Sequence, residues 1–175
     1  GVLLTRYCDC CKPHATIPRM AKLGIVIVNW NTCDLLRRCL RTVFSSSGVA
    51  DATVVVVDNG SQDGSAEMVR TEFPQVQLLA GHGNVGYPAG NNLGLRLLGF
   101  TDDGRGTSEH APAFTLLLNP DTELPPDALS RMLAYMEANP AVGVAGPRLV
   151  LPDGALDLAC RRSMPLTIAR LFLTR

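Results

Sequence analysis

Three short polar segments of the chain each follow an apolar run, and they carry side chains that can bind a nucleotide and a metal ion. The segments contain Asn29, Asp58 and Asp121. A carboxylate such as Asp58 can accept hydrogen bonds from a base N–H and from ribose hydroxyls. A carboxylate such as Asp121 can bind Mg²⁺ or Mn²⁺ when substrate phosphates complete the coordination shell, and Glu123 is close enough in sequence to assist. Turn formation or helix capping also explains these residues, so none of them identifies a binding site by itself.

A glycine-rich segment over residues 84–90 is a fourth candidate for contact with a ligand. Gly86 and Gly90 permit backbone angles that other residues avoid. A helix predicted directly behind this segment would point its free N–H groups towards an anion. Considered alone, a structural turn is the more frequent explanation for such a loop.

The elements that must position these residues can be predicted from the apolar pattern. Strands are predicted over residues 23–28, 53–57, 76–79, 113–118 and 142–145, with a hairpin over residues 149–159. Helices are predicted after a cap at Asn31 or Thr32, over about residues 65–72, over residues 91–98 and between Pro126 and Asn139. Strands that alternate with helices indicate an α/β fold with a Rossmann-like, mainly parallel sheet flanked by helices. Such sheets bind ligands at the carboxyl ends of their strands, where the polar segments lie.

Composition and missing motifs exclude several classes of protein. The chain has 175 residues, with 16 Lys and Arg against 16 Asp and Glu, so its charge gives no case for a nucleic-acid partner. No apolar run approaches the ~18 residues of a membrane span. We therefore expect a cytoplasmic protein, with peripheral contact at the inner face of the membrane left open. Residues 29–32 replace the G-x-G-x-x-G of dinucleotide-binding folds, and no P-loop sequence occurs.

The N-terminal segment is predicted to be a disordered leader over residues 1–22. It contains a group of possible zinc ligands, although their spacing is not a standard zinc motif: Cys8, Cys10, Cys11 and His14. A nucleotide-sugar-binding domain is predicted over residues 23–165, followed by the start of an acceptor-side region over residues 166–175. Cys33 and Cys39 are predicted to lie on the buried face of a helix.

Four motifs in a fixed order resemble a known family. IVIVNWNT, VVVVDNGSQDGS, NVGYPAGNNLG and LLLNPDTEL look like the corresponding segments of the family 2 glycosyltransferases of the GT-A fold. The resemblance is greatest to the rhamnosyltransferase-like subgroup of bacterial cell-surface polysaccharide synthesis. It covers about residues 23–165.

The resemblance implies a role for each matching residue. Asp58 would bind the uracil or thymine and the ribose of a UDP- or dTDP-sugar donor, and Asn29 would line the nucleotide pocket. Asp121 would match the second acid of the family's D-x-D metal motif, with Asn119 in place of the first. The loop beside the nucleoside and sugar would be formed by Asn84, Gly86 and Asn92.

The implied reaction is an inverting transfer of the sugar to a glycan or lipid-linked acceptor. Mg²⁺ or Mn²⁺ would stabilise the nucleoside diphosphate leaving group. A general base would activate the acceptor hydroxyl, and we expect that base to lie beyond Arg175. A non-catalytic nucleotide-sugar-binding module and a nucleotidyltransferase are the alternatives.

Overall fold

The computed structural model describes residues 2–6, 22–101, 111–147, 150–151 and 153–155. Within them it contains six strands: β1 (Val2–Arg6), β2 (Leu23–Asn29), β3 (Ala52–Asp58), β4 (Gln77–Leu79), β5 (Phe114–Leu118) and β6 (Val144–Ala145). It also contains four helices: α1 (Cys33–Ser45), α2 (Ser65–Glu72), α3 (Tyr87–Leu97) and α4 (Ala128–Ala138). The predicted alternation of strands and helices is confirmed.

The strands form one sheet in the order β4-β3-β2-β5-β1-β6. The four strands from β4 to β5 are parallel, whereas β1 runs antiparallel to both β5 and β6. The mainly parallel α/β sheet predicted from the sequence is therefore present. Its central strands, β3, β2 and β5, all end on the same edge of the sheet.

The central strands are apolar throughout because both faces of the sheet are covered. In β2, Ile25 and Ile27 belong to the core that includes residues of α1, α2 and α4. Val26 and Val28 alternate with them and pack on the opposite side, with Leu98 at the end of α3. Such two-sided burial replaces polar alternation by a continuous apolar run.

Helix α3 lies very close to the sheet and begins earlier than predicted. A Cβ atom at Gly94 would lie 2.4 Å from Val26 Cγ1, and one at Gly90 would lie 2.9 Å from Val28 Cγ1. The helix begins at Tyr87, not at residue 91, because Pro88 favours the first turn of a helix and Gly86 turns the chain with φ 81°. Residues 87–90 of the glycine-rich loop predicted over residues 84–90 are therefore helical.

The N-terminal residues differ from the disordered leader that we predicted over residues 1–22. Val2–Arg6 forms β1, paired along its length with β5 from Val2↔Leu118 to Arg6↔Phe114. Burial of Val2 and Leu4 accounts for this order, since both side chains join the main core. The candidate zinc ligands, Cys8, Cys10, Cys11 and His14, lie outside the described residues.

The C-terminal predictions are described only in part. A turn is present where the hairpin was expected, because Gly154 N donates to Leu151 O and Leu151 N donates to Ala155 O, both at 2.8 Å. Residues 156–175, with the end of the hairpin and the acceptor-side region, lie outside the described residues. Among the helices that the structure describes, none is both long and apolar enough to cross a bilayer.

Candidate functional site

The predicted polar residues meet at the edge of the sheet where β3, β2 and β5 end. Asn29 and Asp58 are the last residues of β2 and β3, and they are aligned across the parallel pair. Asn119 follows the last residue of β5, on the other side of β2. This arrangement is the switch-point edge at which open α/β sheets bind ligands.

Asn29 and Asp58 form a buried hydrogen-bonded group with Ser61. Asn29 Nδ2 donates to Asp58 Oδ1 at 3.1 Å and to Ser61 Oγ at 3.1 Å. The other carboxylate oxygen, Asp58 Oδ2, accepts from Ser61 N at 3.0 Å. Asn29 is 0% exposed and Asp58 is 3% exposed. Each oxygen of Asp58 therefore has one protein donor, and a carboxylate can accept further hydrogen bonds.

A second set of bonds holds the segment after β2 against the segment after β3. Asn31, which has φ 53°, accepts at Oδ1 from Gln62 N at 2.8 Å and donates through its own N–H to Ser61 Oγ at 2.9 Å. Asp63 Oδ2 accepts from Cys33 N at 2.8 Å. We call Asn31, Ser61, Gln62 and Asp63 the rim clasp. It fixes the backbone on both sides of the Asn29–Asp58 pair.

Asp63 supplies the cap that the sequence assigned to Asn31 or Thr32. Thr32 makes no capping hydrogen bond to α1, and its hydroxyl donates to Asn29 Oδ1 at 2.6 Å. Asp63 instead caps two helices, because its carboxylate also accepts a hydrogen bond from Ser65 N at 3.1 Å at the start of α2. Burial raises the pKa of Asp63, but the bonds donated by the Ser65 hydroxyl and by the backbone outweigh it, so this pKa lies below its usual range.

The segment over residues 82–86, which we call the glycine loop, lies against the end of β3. A Cβ atom at Gly60 would lie 3.3 Å from the backbone of Gly83. Asn59 Nδ2 donates to Gly86 O at 3.2 Å, and Asn84 Oδ1 accepts from Gly86 N at 2.9 Å. The loop is thus held to β3 by backbone contact and by the buried Asn59 side chain.

One side chain connects the glycine loop to the end of β5. Tyr87 follows the loop directly, and its hydroxyl donates to Asn119 Oδ1 at 3.0 Å. Strands β3 and β5 are the two neighbours of β2 in the sheet. The loop and Tyr87 therefore cross above the end of β2, where Asn29 lies.

The carboxylates beyond β5 have few partners by comparison. Asp121 is exposed, and the described residues give it neither an ion pair nor a hydrogen bond. Glu123 accepts from Arg38 Nε at 2.9 Å in an ion pair. Burial raises the pKa of the Cys39 thiol to about 12, with further contributions from the charges of Asp121 and Glu123. Two carboxylates thus lie near Cys39 at the end of β5, and Arg38 offsets the charge of one of them.

These residues can contribute to a divalent-cation site but do not complete one. Within the described residues there is no group of three or more His, Cys, Asp or Glu side chains placed to hold a metal ion. Asp121 offers a free carboxylate, whereas Asn119 Oδ1 accepts from Tyr87 and Glu123 pairs with Arg38. A cation here would need oxygen ligands from phosphates and water, as Mg²⁺ commonly uses.

A groove of about 890 Å³ lies on the other side of Asn119 and Asp121 from the Asn29–Asp58 pair. Its polar lining includes Asn119, Asp121, Glu123, Asp127 and Arg131, and its apolar lining includes Val2, Leu124, Met132, Val150 and Leu151. Asp127 is ion-paired with Arg131 at 3.4 Å. The groove can receive a second molecule beside one bound over β2.

The structure brings some of the predicted residues together and separates others. Asn29 and Asp58 are in contact, and Gly86 is linked to them through Asn59. Asn92 lies on α3 with an exposed side chain, and Asp121 lies beyond Asn119.

Three residues that hold the site were not predicted from the sequence: Asn59, Asp63 and Tyr87. Asn59 and Asp63 belong to the DNGSQDGS segment that was selected for Asp58. Tyr87 could have been recognised from the Tyr-Pro pair after Gly86, which is typical of the start of a helix.

Comparison with known proteins identifies related sequences. The family model described as "Glycosyl transferase family 2" matches residues 24–159. The N-acetylglucosaminyl-diphospho-decaprenol L-rhamnosyltransferase of Mycobacterium tuberculosis is 28% identical over 146 residues, which cover 83% of this chain and 47% of that protein. The low-salt glycan biosynthesis hexosyltransferase Agl10 of Haloferax volcanii is 28% identical over 149 residues, covering 85% and 42%. The chain thus spans less than half the length of these relatives.

Solved structures of GT-A glycosyltransferases share the fold. S. aureus TarS 1-349 in complex with UDP superposes with a TM-score of 0.55 at 18% identity, covering 67% of this chain and 32% of that one. The mannosyltransferase PcManGT of Pyrobaculum calidifontis, in complex with GDP-Man and Mn²⁺, gives a TM-score of 0.50 at 18% identity, covering 80% and 38%. The sheet and helices described above therefore have the GT-A fold.

Proposed function

The chain belongs to glycosyl transferase family 2, and on this premise we propose that it binds a UDP- or dTDP-sugar for transfer of the sugar with inversion. The observation that carries the proposal is the Asn29–Asp58–Ser61 group at the carboxyl edge of the sheet. The nucleotidyltransferase alternative has no support from the family match. The described site also gives no specific support to a purely non-catalytic module.

We assign the nucleoside to the space above β2 and β3. Asp58 accepts hydrogen bonds from the base N–H and the ribose hydroxyls, and Asn29 holds its carboxylate in place. Asp58 is only 3% exposed, so a ligand has a small part of its carboxylate to contact. On the side of the glycine loop we assign Asn84 and Gly86 to this space, and we also assign Asn92 to it, although Asn92 lies farther along on α3. Support comes from the solved structures of S. aureus TarS in complex with UDP and with UDP-GlcNAc.

The diphosphate is assigned to the end of β5. Asp121 is the carboxylate that would hold Mg²⁺ or Mn²⁺ there, with phosphate and water oxygens as the remaining ligands. When bound, such an ion supplies charge stabilisation for the departing nucleoside diphosphate. Asp121 supplies the negative charge that a cation at this position needs, whereas the charge of Glu123 is offset by Arg38. A PcManGT structure that contains Mn²⁺ supports the same assignment.

We assign the acceptor to the groove beside Asp121. The groove has polar lining residues that suit sugar hydroxyls and apolar lining residues that suit a lipid or the face of a sugar ring. Glu123 and Asp127 are both engaged in ion pairs, so neither is assigned as the general base. The M. tuberculosis relative is named for a lipid-linked diphosphate acceptor, which supports a glycan or lipid-linked acceptor here. Such an acceptor would bring the protein to the membrane surface.

Calorimetric titration tests the donor assignment. UDP or dTDP should bind more tightly than ATP, and Mn²⁺ should increase the affinity for the diphosphates. Equal affinity for ATP and the pyrimidine nucleotides would overturn the nucleotide assignment. A second assay follows labelled sugar from a UDP- or dTDP-sugar into a lipid-linked acceptor, and it tests transfer separately from binding.

A further inference from the structure

We propose that Tyr87 is a positioning residue for the donor and that Asn119 is its anchor and not a metal ligand. The inference rests on the proposed function, since the pocket concerned is the nucleoside site above β2. Its basis is the hydrogen bond from the Tyr87 hydroxyl to Asn119 Oδ1, 3.0 Å long, between residues 32 positions apart. This pair is called the latch.

The latch completes a bridge over the end of β2. At one side, Asn59 Nδ2 donates to Gly86 O at 3.2 Å, which ties the glycine loop to β3. At the other side, Tyr87 reaches Asn119 at the end of β5. Two neighbouring residues are thus attached to strands that lie on opposite sides of β2, about 10 Å apart at the usual strand spacing. Loss of either attachment frees one side of the bridge.

The anchor itself is firmly held. Asn119 O accepts from Thr122 N at 3.2 Å and is contacted by the Cys39 thiol at 3.7 Å. Cys39 is a fully buried residue of α1. Because two groups bond to this backbone carbonyl, the main chain at Asn119 is held in place, and the hydrogen bond from Tyr87 ties the tyrosine to it.

The latch also determines what Asn119 Oδ1 can do. An Asn side chain has one acceptor oxygen, and its Nδ2 group can only donate. The Tyr87 O–H occupies one of the two lone pairs of that oxygen, so a cation at the other lone pair would compete with the hydroxyl for the same atom. Asp121 is exposed and makes no such bond within the described residues. We therefore assign the two polar residues of the Asn-Pro-Asp segment different roles: Asn119 anchors Tyr87, and Asp121 is the metal ligand.

Titration of UDP with and without Mn²⁺ distinguishes the anchoring role of Asn119 from a role in metal binding. Tyr87→Phe and Asn119→Ala should each weaken UDP binding about 3- to 10-fold, the effect of one neutral hydrogen bond, to the same extent in both conditions. The double variant should be no weaker than either single variant, because both remove the same interaction. Asn119→Asp keeps an acceptor oxygen and should bind UDP nearly as the parent does. Tyr135→Phe, at an exposed tyrosine of α4, is the matched control and should change nothing.

Amide hydrogen exchange of residues 83–87 in the ligand-free protein provides a second measurement. Exchange should be faster in Tyr87→Phe and Asn119→Ala than in the parent and in Tyr135→Phe. If exchange in Tyr87→Phe and Asn119→Ala equalled that of the parent, the latch would be overturned, whether or not the parent binds UDP. If exchange were faster in these variants but the parent did not bind UDP, only the proposed function would be contradicted. The assignment of Asn119 would also be overturned if Asn119→Ala lost only the Mn²⁺-dependent part of UDP binding while Tyr87→Phe was normal.

Discussion

The two halves of the carboxyl edge differ sharply in how far the chain itself completes them. At the ends of β2 and β3, Asn29, Asp58 and Ser61 are joined by hydrogen bonds within a buried group. Beyond β5, Asp121 is exposed and makes no such bond within the described residues. The chain's own hydrogen bonds organise the first half, whereas the second half would need ligand oxygens to complete it.

The difference follows from what each half must bind in the proposed function. A base and a ribose are rigid and neutral, so fixed hydrogen-bonding groups recognise them at little entropic cost. A diphosphate with its cation carries its own charges and ligand oxygens, and one free carboxylate is sufficient for the protein's share. Substitutions on the two halves should therefore have different signatures, in stability on one side and in metal dependence on the other.

The largest effect is expected at Asp58. Asp58→Ala removes the acceptor for both Asn29 Nδ2 and Ser61 N, and leaving such buried donors unpaired costs about 1–3 kcal/mol of stability. UDP affinity should also fall by about 1.5–3 kcal/mol, with and without Mn²⁺. Urea denaturation and calorimetry measure the two losses.

Asp58→Asn is the control for this comparison. It keeps the size of the side chain and one acceptor oxygen, so its stability should lie between those of the parent and Asp58→Ala. If Asp58→Ala were as stable as the parent, the β2–β3 half would not be organised by this carboxylate.

A loss of a different kind is expected at Asp121. Asp121→Asn should abolish the gain in UDP affinity that Mn²⁺ provides, because an amide is a poorer ligand for a hard cation than a carboxylate. Its effect on stability should stay within about 0.5 kcal/mol, as is usual for an exposed residue. Calorimetry with Mn²⁺ and with EDTA measures the gain. Unchanged Mn²⁺ dependence in the variant would remove Asp121 from the metal site.

A smaller and pH-dependent effect is expected at Asp63, the part of the rim clasp that caps two helices. Asp63→Ala should cost about 1 kcal/mol at pH 7, the usual value of a helix cap. The pKa of Asp63 is lowered in the folded protein, so its contribution is present above the pKa of the unfolded chain and is lost as the pH falls through the folded pKa. The parent and the variant should therefore converge in stability only as the pH falls below the ordinary Asp pKa of about 3.9 and through the lower pKa of the folded protein. A difference that persisted in acid would show that the carboxylate charge does not provide the cap.

The sequence predicted the sheet well because its signal is local. Runs such as those in β2 and β3 reveal burial on both faces within a few residues. Strand β1 gave no such signal, since Val2–Arg6 becomes a strand only by pairing with β5, more than a hundred residues away: Thr5 and Thr115, joined by a hydrogen bond, are 110 apart. The sequence of such a short segment does not indicate which distant strand it will pair with.

The site shows the same division. The alignment of Asn29 with Asp58 could be expected from two strands that end at the same edge. The cap of α1 could not be expected in the same way. The sequence offers Asn31 and Thr32 as nearby candidates, but the side chain that accepts from Cys33 N is that of Asp63, 30 positions away. Local patterns therefore located the pocket, and only the fold showed which side chains hold it in shape.

The smallest effect is expected at Glu123, which distinguishes an acidic residue near the metal position from one that binds the metal. Glu123 is ion-paired with Arg38 at 2.9 Å, and the two side chains are 59% and 51% exposed. An exposed pair of this kind contributes about 0–1 kcal/mol, so Glu123→Gln should change stability little. Because the pair directs this carboxylate towards α1, Mn²⁺-dependent UDP binding should also persist, in contrast to Asp121→Asn. Arg38→Gln provides the matched control, since it removes the same ion pair but leaves the carboxylate in place. If Glu123→Gln lost the Mn²⁺ effect and Arg38→Gln did not, Glu123 would be a second metal ligand, and the β5 half would be more complete than its contacts indicate.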